Sequence, residues 1–425
     1  MKKTKDIIQK EALEILKKNK YKGTIALDMG TGKSKLGIDS IIDGGFQKIL
    51  ITSPRTNLKK NWRKELIKWQ FIPEVDNEIS SLFKHLSSGD MYSINIVNIQ
   101  TCYKWSKEEI SYFDYIIFDE IHTCGPEYFN LINNAIELNI PILGLTGTLN
   151  DANTFKSNVL YDKLPILYEY YDSADDGLIN KRKYLVLKYS LSDAFRVKAG
   201  TKRKSWYVGE EKQYSYLTEQ IKKGQRLMAA TGSDDWWNDA REWFWENKGN
   251  SEQKNAARVY LNSIKYRKEF LWNLTSTVEI TKQIKDEILK KNNNKVLIFS
   301  QSINQVNKIT PHVIHSKQDE EINKVNLEKF DKGFIKELGS VKSLTLGLNI
   351  NGANYAIMES YTGSETDFKQ KAGRTNRLKI DDIATIIWLV PINTQAEKWF
   401  DKAIKNVDNS NITYYTSIND LVKQL

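Results

Sequence analysis

Gly30-Thr31-Gly32-Lys33-Ser34 and, further along the chain, Asp119-Glu120 are residue types that handle phosphate and water. The first segment follows the β-prone run Thr24-Ile25-Ala26-Leu27 and leads into residues 35–42, whose apolar positions recur three and four apart, as on a helix. In a strand, turn and helix of this kind, glycines let successive backbone N–H groups converge on phosphate oxygens, and the helix N-terminus adds partial positive charge. Lys33 would reach the β- and γ-phosphates, and Ser34 would hold Mg²⁺ through its hydroxyl. Leu27 stands where the usual G-x-x-x-x-G-K-[ST] pattern has its first glycine. The second segment closes the apolar run Tyr115-Ile116-Ile117-Phe118, the pattern of a strand buried on both faces. Asp119 at its carboxyl end suits Mg²⁺ bound through the metal's waters, and Glu120 suits a base that deprotonates an attacking water. Either segment alone is compatible with an ordinary loop. Together they point to a site for a nucleoside triphosphate.

Segments this far apart meet only if the chain between them builds a sheet. Lys48-Ile49-Leu50-Ile51-Thr52, Ile94-Asn95-Ile96-Val97 and Ile142-Leu143-Gly144-Leu145 read as strands, and residues 58–69 as an amphipathic helix. The alternation predicts a parallel sheet with crossover helices, two of whose strand ends carry Ser53-Pro54-Arg55-Thr56-Asn57 and Thr146-Gly147-Thr148. A second α/β unit begins near Lys295. Val296-Leu297-Ile298-Phe299-Ser300, Val341-Lys342-Ser343-Leu344-Thr345, Ala356-Ile357-Met358-Glu359 and residues 384–390 read as its strands. It has no phosphate loop but carries Gln370-Lys371-Ala372-Gly373-Arg374-Thr375-Asn376-Arg377, whose two arginines, three apart, fall on one helix face. Such arginines can act as fingers on a nucleotide held by another domain.

The middle, near 190–289, differs in character. Arg196, Lys198, Lys202, Arg203 and Lys204 follow one another with no intervening acid and lead to Trp206-Tyr207, which suits a phosphate-contacting loop with stacking aromatics or, equally, a solvated basic loop. Residues 234–245 read as a helix with Trp236, Ala240, Trp243 and Phe244 on one face and Trp237, Arg241 and Trp245 on another. Aromatics on both faces predict a helix sandwiched in a core, with a strand-separating wedge as the other reading.

Composition sets limits. The 425 residues suffice for two or three domains, and 40% hydrophobic content fills ordinary cores. The formal charge of +10 favours a polyanionic partner, although lysine- and asparagine-rich stretches such as 290–295 have another source in an AT-rich genome. No apolar run approaches the ~20 residues that cross a bilayer, and the lysine-rich start lacks the apolar stretch of a signal peptide, so a cytoplasmic chain is expected. Two cysteines and four histidines without ligand spacing argue against zinc and disulfides.

The order of these motifs resembles the superfamily-2 helicases and translocases of the DExH type over nearly the whole chain except its middle. The resemblance implies an α/β fold of two RecA-like parallel-sheet domains: domain 1 at 1–182, a linker and mainly helical, aromatic-rich insertion at 183–290, and domain 2 at 291–425. It implies ATP and Mg²⁺ as cofactors, held between the two domains. Motif I would be Gly30 to Ser34, and motif Ia would supply Ser53, Pro54, Arg55 and Thr56 to nucleic-acid phosphates, joined by Gln100 and Thr101. Motif II would be Asp119-Glu120-Ile121-His122, and in motif III Thr146 and Thr148 would couple nucleotide to strand. Motif IV, Phe299-Ser300-Gln301, would touch the strand through Ser300 and Gln301, and the inserted basic loop through Lys202, Arg203 and Lys204. Motif V, Gly347-Leu348-Asn349-Ile350, would set Gly347 and Asn349 beside the nucleotide, and motif VI would make Gln370, Arg374 and Arg377 catalytic. Gln9, beside the apolar helix face Ile8, Ala12, Ile15 and Leu16, resembles the upstream glutamine that reads adenine.

Asn61-Trp62-Arg63-Lys64-Glu65-Leu66 and residues 347–354 look more like Swi/Snf and phage recombination translocases than DEAD-box RNA helicases, and the compact size is similar to that of phage-encoded enzymes acting on branched or replicating DNA. The expectation is a monomeric DNA helicase or translocase acting on single-stranded, forked or branched DNA. An RNA helicase and an ATP-gated clamp serving a partner complex are the alternatives.

Overall fold

The computed structural model describes residues 3–28, 30–53, 56–69, 93–123, 125, 129–147, 149, 154–171, 177–178, 180–200, 204–341, 352–375 and 382–425. They form two compact units.

The first unit starts with α1 (Lys5–Lys18), capped by Thr4, whose hydroxyl accepts from Ile7 N, and buries Ile8, Ala12 and Leu16, one residue per turn. There follow β1 (Gly23–Leu27), α2 (Lys33–Gly44), β2 (Lys48–Ser53), α3 (Thr56–Lys68), β3 (Ser93–Asn98), the short α4 (Ile99–Cys102) and α5 (Lys107–Ile110), and β4 (Tyr115–Asp119). A 3₁₀ turn, Ile121–Thr123, leads to α6 (Phe129–Glu137), β5 (Ile142–Thr146), α7 (Thr154–Lys163) and β6 (Ile166–Tyr170). The strands make one parallel sheet in the order β3-β2-β4-β5-β1-β6. The central strands β1, β4 and β5 are buried almost throughout, as near-continuous apolar runs demand. α1, α2 and α3 cover one face of this sheet, where Ile8, Leu36, Ile41, Trp62 and Leu66 join Ile25, Ile51 and Ile117 in one cluster. Gly37 makes this possible, because a Cβ there would sit 2.8 Å from the buried Trp62 ring.

The second unit opens with β7 (Arg182–Tyr189), the antiparallel hairpin of β8 (Arg196–Gly200) and β9 (Ser205–Gly209), and the helices α8 (Glu210–Ala230), α9 (Trp236–Phe244), α10 (Ser251–Leu271) and α11 (Thr275–Leu289). It continues with β10 (Val296–Ser300), α12 (Ile303–Ile309), β11 (Val313–Ile314), α13 (Glu320–Asp331), β12 (Glu337–Val341) and β13 (Tyr355–Met358). α14 (Glu365–Ala372) follows, then β14 (Ala384–Pro391), α15 (Gln395–Ala403), β15 (Ile412–Tyr415) and α16 (Ile418–Val422). The sheet order is β11-β12-β10-β13-β14-β7-β15. Residues 366–384, which include most of α14, group with the first unit.

The strand expected at 341–345 lies earlier, at Glu337–Val341, and 342–345 fall outside the described residues. The expected core role of the tryptophan-rich helix is overturned. On α9 only Ala240 is buried, with Trp243 half-buried, while Trp236, Trp237, Phe244 and Trp245 are exposed. α8 and α10 are the pair that packs closely, Gly224 facing the Tyr260 backbone where a Cβ would approach to 2.8 Å, and α9 rests on them through one narrow strip. No described helix is long and apolar enough to cross a membrane.

Candidate active site

Between β1 and α2 the chain turns through Gly30 and Gly32, both at positive φ (89° and 95°), where a side chain would be strained. No side chain caps α2, so the N–H groups of its first turn present partial positive charge, with Lys33 and Ser34 as its first residues. Thr31 is buried and its hydroxyl donates to Asp28 O at 2.6 Å, which fixes the turn. The Lys33 ammonium lies within the loop, donating to Leu27 O at 3.1 Å and Asp28 O at 3.5 Å. Gln9 reaches the same loop from α1, its Nε2 donating to Thr31 O at 2.8 Å. A Cβ on Gly32 would collide with that amide, so the glycine permits the contact.

β4 delivers Asp119 to the carboxyl edge of the sheet. Its Oδ2 accepts from Trp62 Nε1 at 2.8 Å, a bond from the middle of α3. Burial first, then the neighbouring charge of Glu120, push the Asp119 carboxyl up to about 7, against the opposing pull of the Trp62 bond and the Lys33 ammonium. Glu120 has φ 52°, a left-handed conformation costly for a residue with a side chain, and it turns the chain into the 3₁₀ segment.

His122, buried behind it, connects three of the expected groups. Its Nδ1 lies 2.8 Å from Thr146 Oγ1 and 3.4 Å from Glu120 Oε2, and its Nε2 lies 3.4 Å from Gln370 Nε2. Burial holds the imidazole below its usual range, so it is neutral at neutral pH. The Gln370 amide donates to Nε2, which leaves the ring proton on Nδ1, facing Thr146 and Glu120.

The first unit thus brings together Gln9, Gly30 to Ser34, Asp119, Glu120, Thr146 and Gln370. Arg374 belongs to the same unit and is buried in the 3₁₀ turn Gly373–Thr375. Ser53 is buried at the end of β2, Thr56 begins α3, and Gln100 and Thr101 are exposed on α4. Two residues expected to contact the strand lie in the second unit. Ser300 is buried with its hydroxyl bonded to Ser302 O (3.1 Å) and beside Ser360 Oγ (3.3 Å), and Gln301 is buried with its backbone N–H on Ser360 Oγ. Ser300 cannot offer its hydroxyl to a strand without losing these bonds. Pro54, Arg55, Thr148, Lys202, Arg203, Gly347, Asn349 and Arg377 lie outside the described residues; Lys204 is exposed beside the hairpin.

Ser34 and Asp119 offer a hydroxyl and a carboxylate, the oxygen chemistry that Mg²⁺ takes. Among the described residues no cluster of three or more His, Cys, Asp or Glu could hold a metal alone, so phosphate and water oxygens would complete its shell. Two contributors were not picked out by sequence reasoning: Trp62, noted only as part of a motif, and His122, named but given no role. A tryptophan amid the polar residues of α3 was the available signal for the first. For the second it was a histidine two residues beyond the expected base.

Residues 3–151 match the family model described as type III restriction enzyme, res subunit, and residues 279–379 match the helicase conserved C-terminal domain. Among solved structures, the Pyrococcus furiosus Hef helicase domain is similar at a TM-score of 0.55 and 14% identity, over 92% of this chain and 97% of that one. Dbp5 from S. cerevisiae, a variant bound to RNA and ADP BeF3, is similar at 0.56 and 11% identity, over 98% and 92%. At these identities the likeness is one of fold, two tandem RecA-like domains. A search of curated proteins returns no match.

Proposed function

We propose that this chain, an ATP-hydrolysing helicase of superfamily 2, is of the DExH type and couples hydrolysis to unwinding or remodelling DNA, with forked or branched DNA as the preferred substrate. The observation that carries the reading is the connected set Glu120, His122, Thr146 and Gln370, in which the expected base shares a neutral imidazole with the residues expected to sense the strand and the second motif cluster. A change at Gln370 or Thr146 would alter the hydrogen bond of His122, and with it the orientation of Glu120.

Bound Mg²⁺–ATP supplies the phosphoryl group and the metal that polarises it. Around it, Lys33 neutralises the β- and γ-phosphates, and Ser34 and Asp119 hold the metal's shell. Glu120 takes the proton of the attacking water, and Gln9 fixes the base end through α1. Arg374 and Arg377 stabilise the charge that develops on the leaving phosphates. The net charge of +10 supports a nucleic-acid partner, and the motif resemblances around Asn61 to Leu66 favour DNA as the polymer.

Steady-state ATPase assays of wild type and Lys33→Ala at fixed salt, without polymer and with single-stranded, duplex and forked DNA and single-stranded RNA, test this. Strongest stimulation by forks is expected. Stimulation by RNA alone would replace DNA with RNA. Hydrolysis that needs Lys33 but ignores every polymer would favour a partner-controlled clamp.

A further inference from the structure

Strand alternation in the β8–β9 hairpin puts Val197, Ala199 and Val208 on one face, with the exposed Trp206 at its outer end, and Arg196, Lys198 and Tyr207 on the other. Val197 and Ala199 are buried and Val208 half-buried on the face toward α8. The register sets Lys198 directly across from Tyr207 on the other face, with Arg196 two residues away on the same face. Tyr207 is 65% exposed and Arg196 and Lys198 are exposed, and the Arg196 guanidinium donates to Tyr207 O at 3.1 Å. Cross-strand partners hold their Cβ atoms about 5 Å apart, so the Lys198 and Tyr207 side chains leave the ribbon as neighbours. Neither Arg196 nor Lys198 has a carboxylate in ion-pair reach among the described residues. The ribbon is tied at its base, where Glu210 N donates to Phe195 O at 3.0 Å and Lys212 pairs with Asp193 at 3.3 Å.

We propose that this outer face is a binding site for single-stranded nucleic acid, with a base stacked on Tyr207 and the flanking phosphates on Arg196 and Lys198; the proposal rests on the reading of the chain as a nucleic-acid motor. An exposed ring with one cation directly across from it and a second on the diagonal suits a strand that presents bases and phosphates in turn. A duplex would not serve, because its bases are already stacked on each other and cannot cover the ring.

The test is fluorescence anisotropy of the full-length chain with labelled oligothymidylate, repeated over a salt series, with thermal melting and polymer-free ATPase as controls. Tyr207→Ala should weaken binding about tenfold at fixed salt, within the range for loss of one stacked base. Tyr207→Phe should restore it, since the ring and not the hydroxyl is used. Lys198→Ala should lower the slope of log affinity against log salt by about 0.7, as for one phosphate contact on a single strand. Melting and polymer-free ATPase should match wild type. Wild-type affinity and slope in both alanine variants, with wild type binding the strand, would overturn the hairpin site alone. Equal loss on a blunt duplex would overturn stacking. Wild type that binds no strand would overturn the motor reading and the site with it.

Discussion

The phosphate loop with its β4 neighbours and the hairpin with α9 are both dense in functional-looking side chains, yet they are built on opposite plans. Around β4 the groups are buried or half-buried and answer one another: Trp62 to Asp119, His122 to Thr146 and Glu120, Gln9 to Thr31. In the hairpin and α9 large rings face water, Tyr207 at 65% and Trp245 at 61% exposure. Burial lets neighbours change a group's chemistry, as it does for Asp119, whereas exposure leaves chemistry alone and makes surface. The exposed region divides further by charge. The hairpin joins its rings to cations, while residues 234–246 join theirs to Asp234, Asp235, Asp239, Glu242 and Glu246 against Arg241 alone. Aromatic exposure by itself is therefore no sign of nucleic-acid contact, since the carboxylates around α9 would repel phosphate.

Substitutions should separate the two plans by what they change. Lys33→Ala should reduce ATP hydrolysis by at least ~10²-fold with circular dichroism unchanged, the scale of losing a charged group aimed at the transferred phosphates; near-normal turnover would remove the nucleotide site from the buried region. Trp62→Phe keeps an aromatic ring and deletes the bond to Asp119, the first of three influences that hold its carboxyl down. In metal-free protein the Asp119 carboxyl should then titrate at higher pH than in wild type, as carboxyl NMR titration would record; an unmoved titration would mean the indole bond does not act on it.

Stability gives a third contrast. The Asp119 carboxyl, raised from 3.8 to about 7, binds a proton in the folded chain that the unfolded chain has already lost. In metal-free protein this group therefore contributes stability that is lost as pH rises from about 4 to about 7. Asp119→Asn should remove that slope and melt several degrees above wild type at pH 8, as scanning calorimetry would record; an unchanged slope would mean the carboxyl is not so confined. Smallest of all, Trp245→Ser should leave the melting temperature within a degree or so, because an exposed side chain away from special features contributes under ~0.5 kcal/mol. A large loss there would make α9 part of the core after all.

Strongly patterned elements were legible in advance. The apolar run before Asp119 and the glycine turn before α2 announced strand, loop and helix, because local chemistry dictates them. β12 was harder, since Glu337-Leu338-Gly339-Ser340-Val341 holds only two large apolar residues and takes its strand form from pairing with β10 on one side and β11 on the other. β7 likewise lies in a stretch read as linker, although Tyr184-Leu185-Val186-Leu187 is a plain apolar run. Periodicity put Trp236, Ala240, Trp243 and Phe244 on one face of α9, but of these only Ala240 is buried and Trp243 half-buried, because spacing does not report how much of a face finds a neighbour. The site contacts made by Trp62 and His122 join separate elements of the fold, and no spacing rule reports them.

Gly37 has no part in binding anything, yet its missing side chain is the space into which the Trp62 ring fits. A single methyl group added at that position would press on the indole, and the indole holds the carboxylate at the end of β4. Crowding between two helices would then be felt as a change in acidity, so that a position whose part is to leave space could retune a carboxylate it never touches.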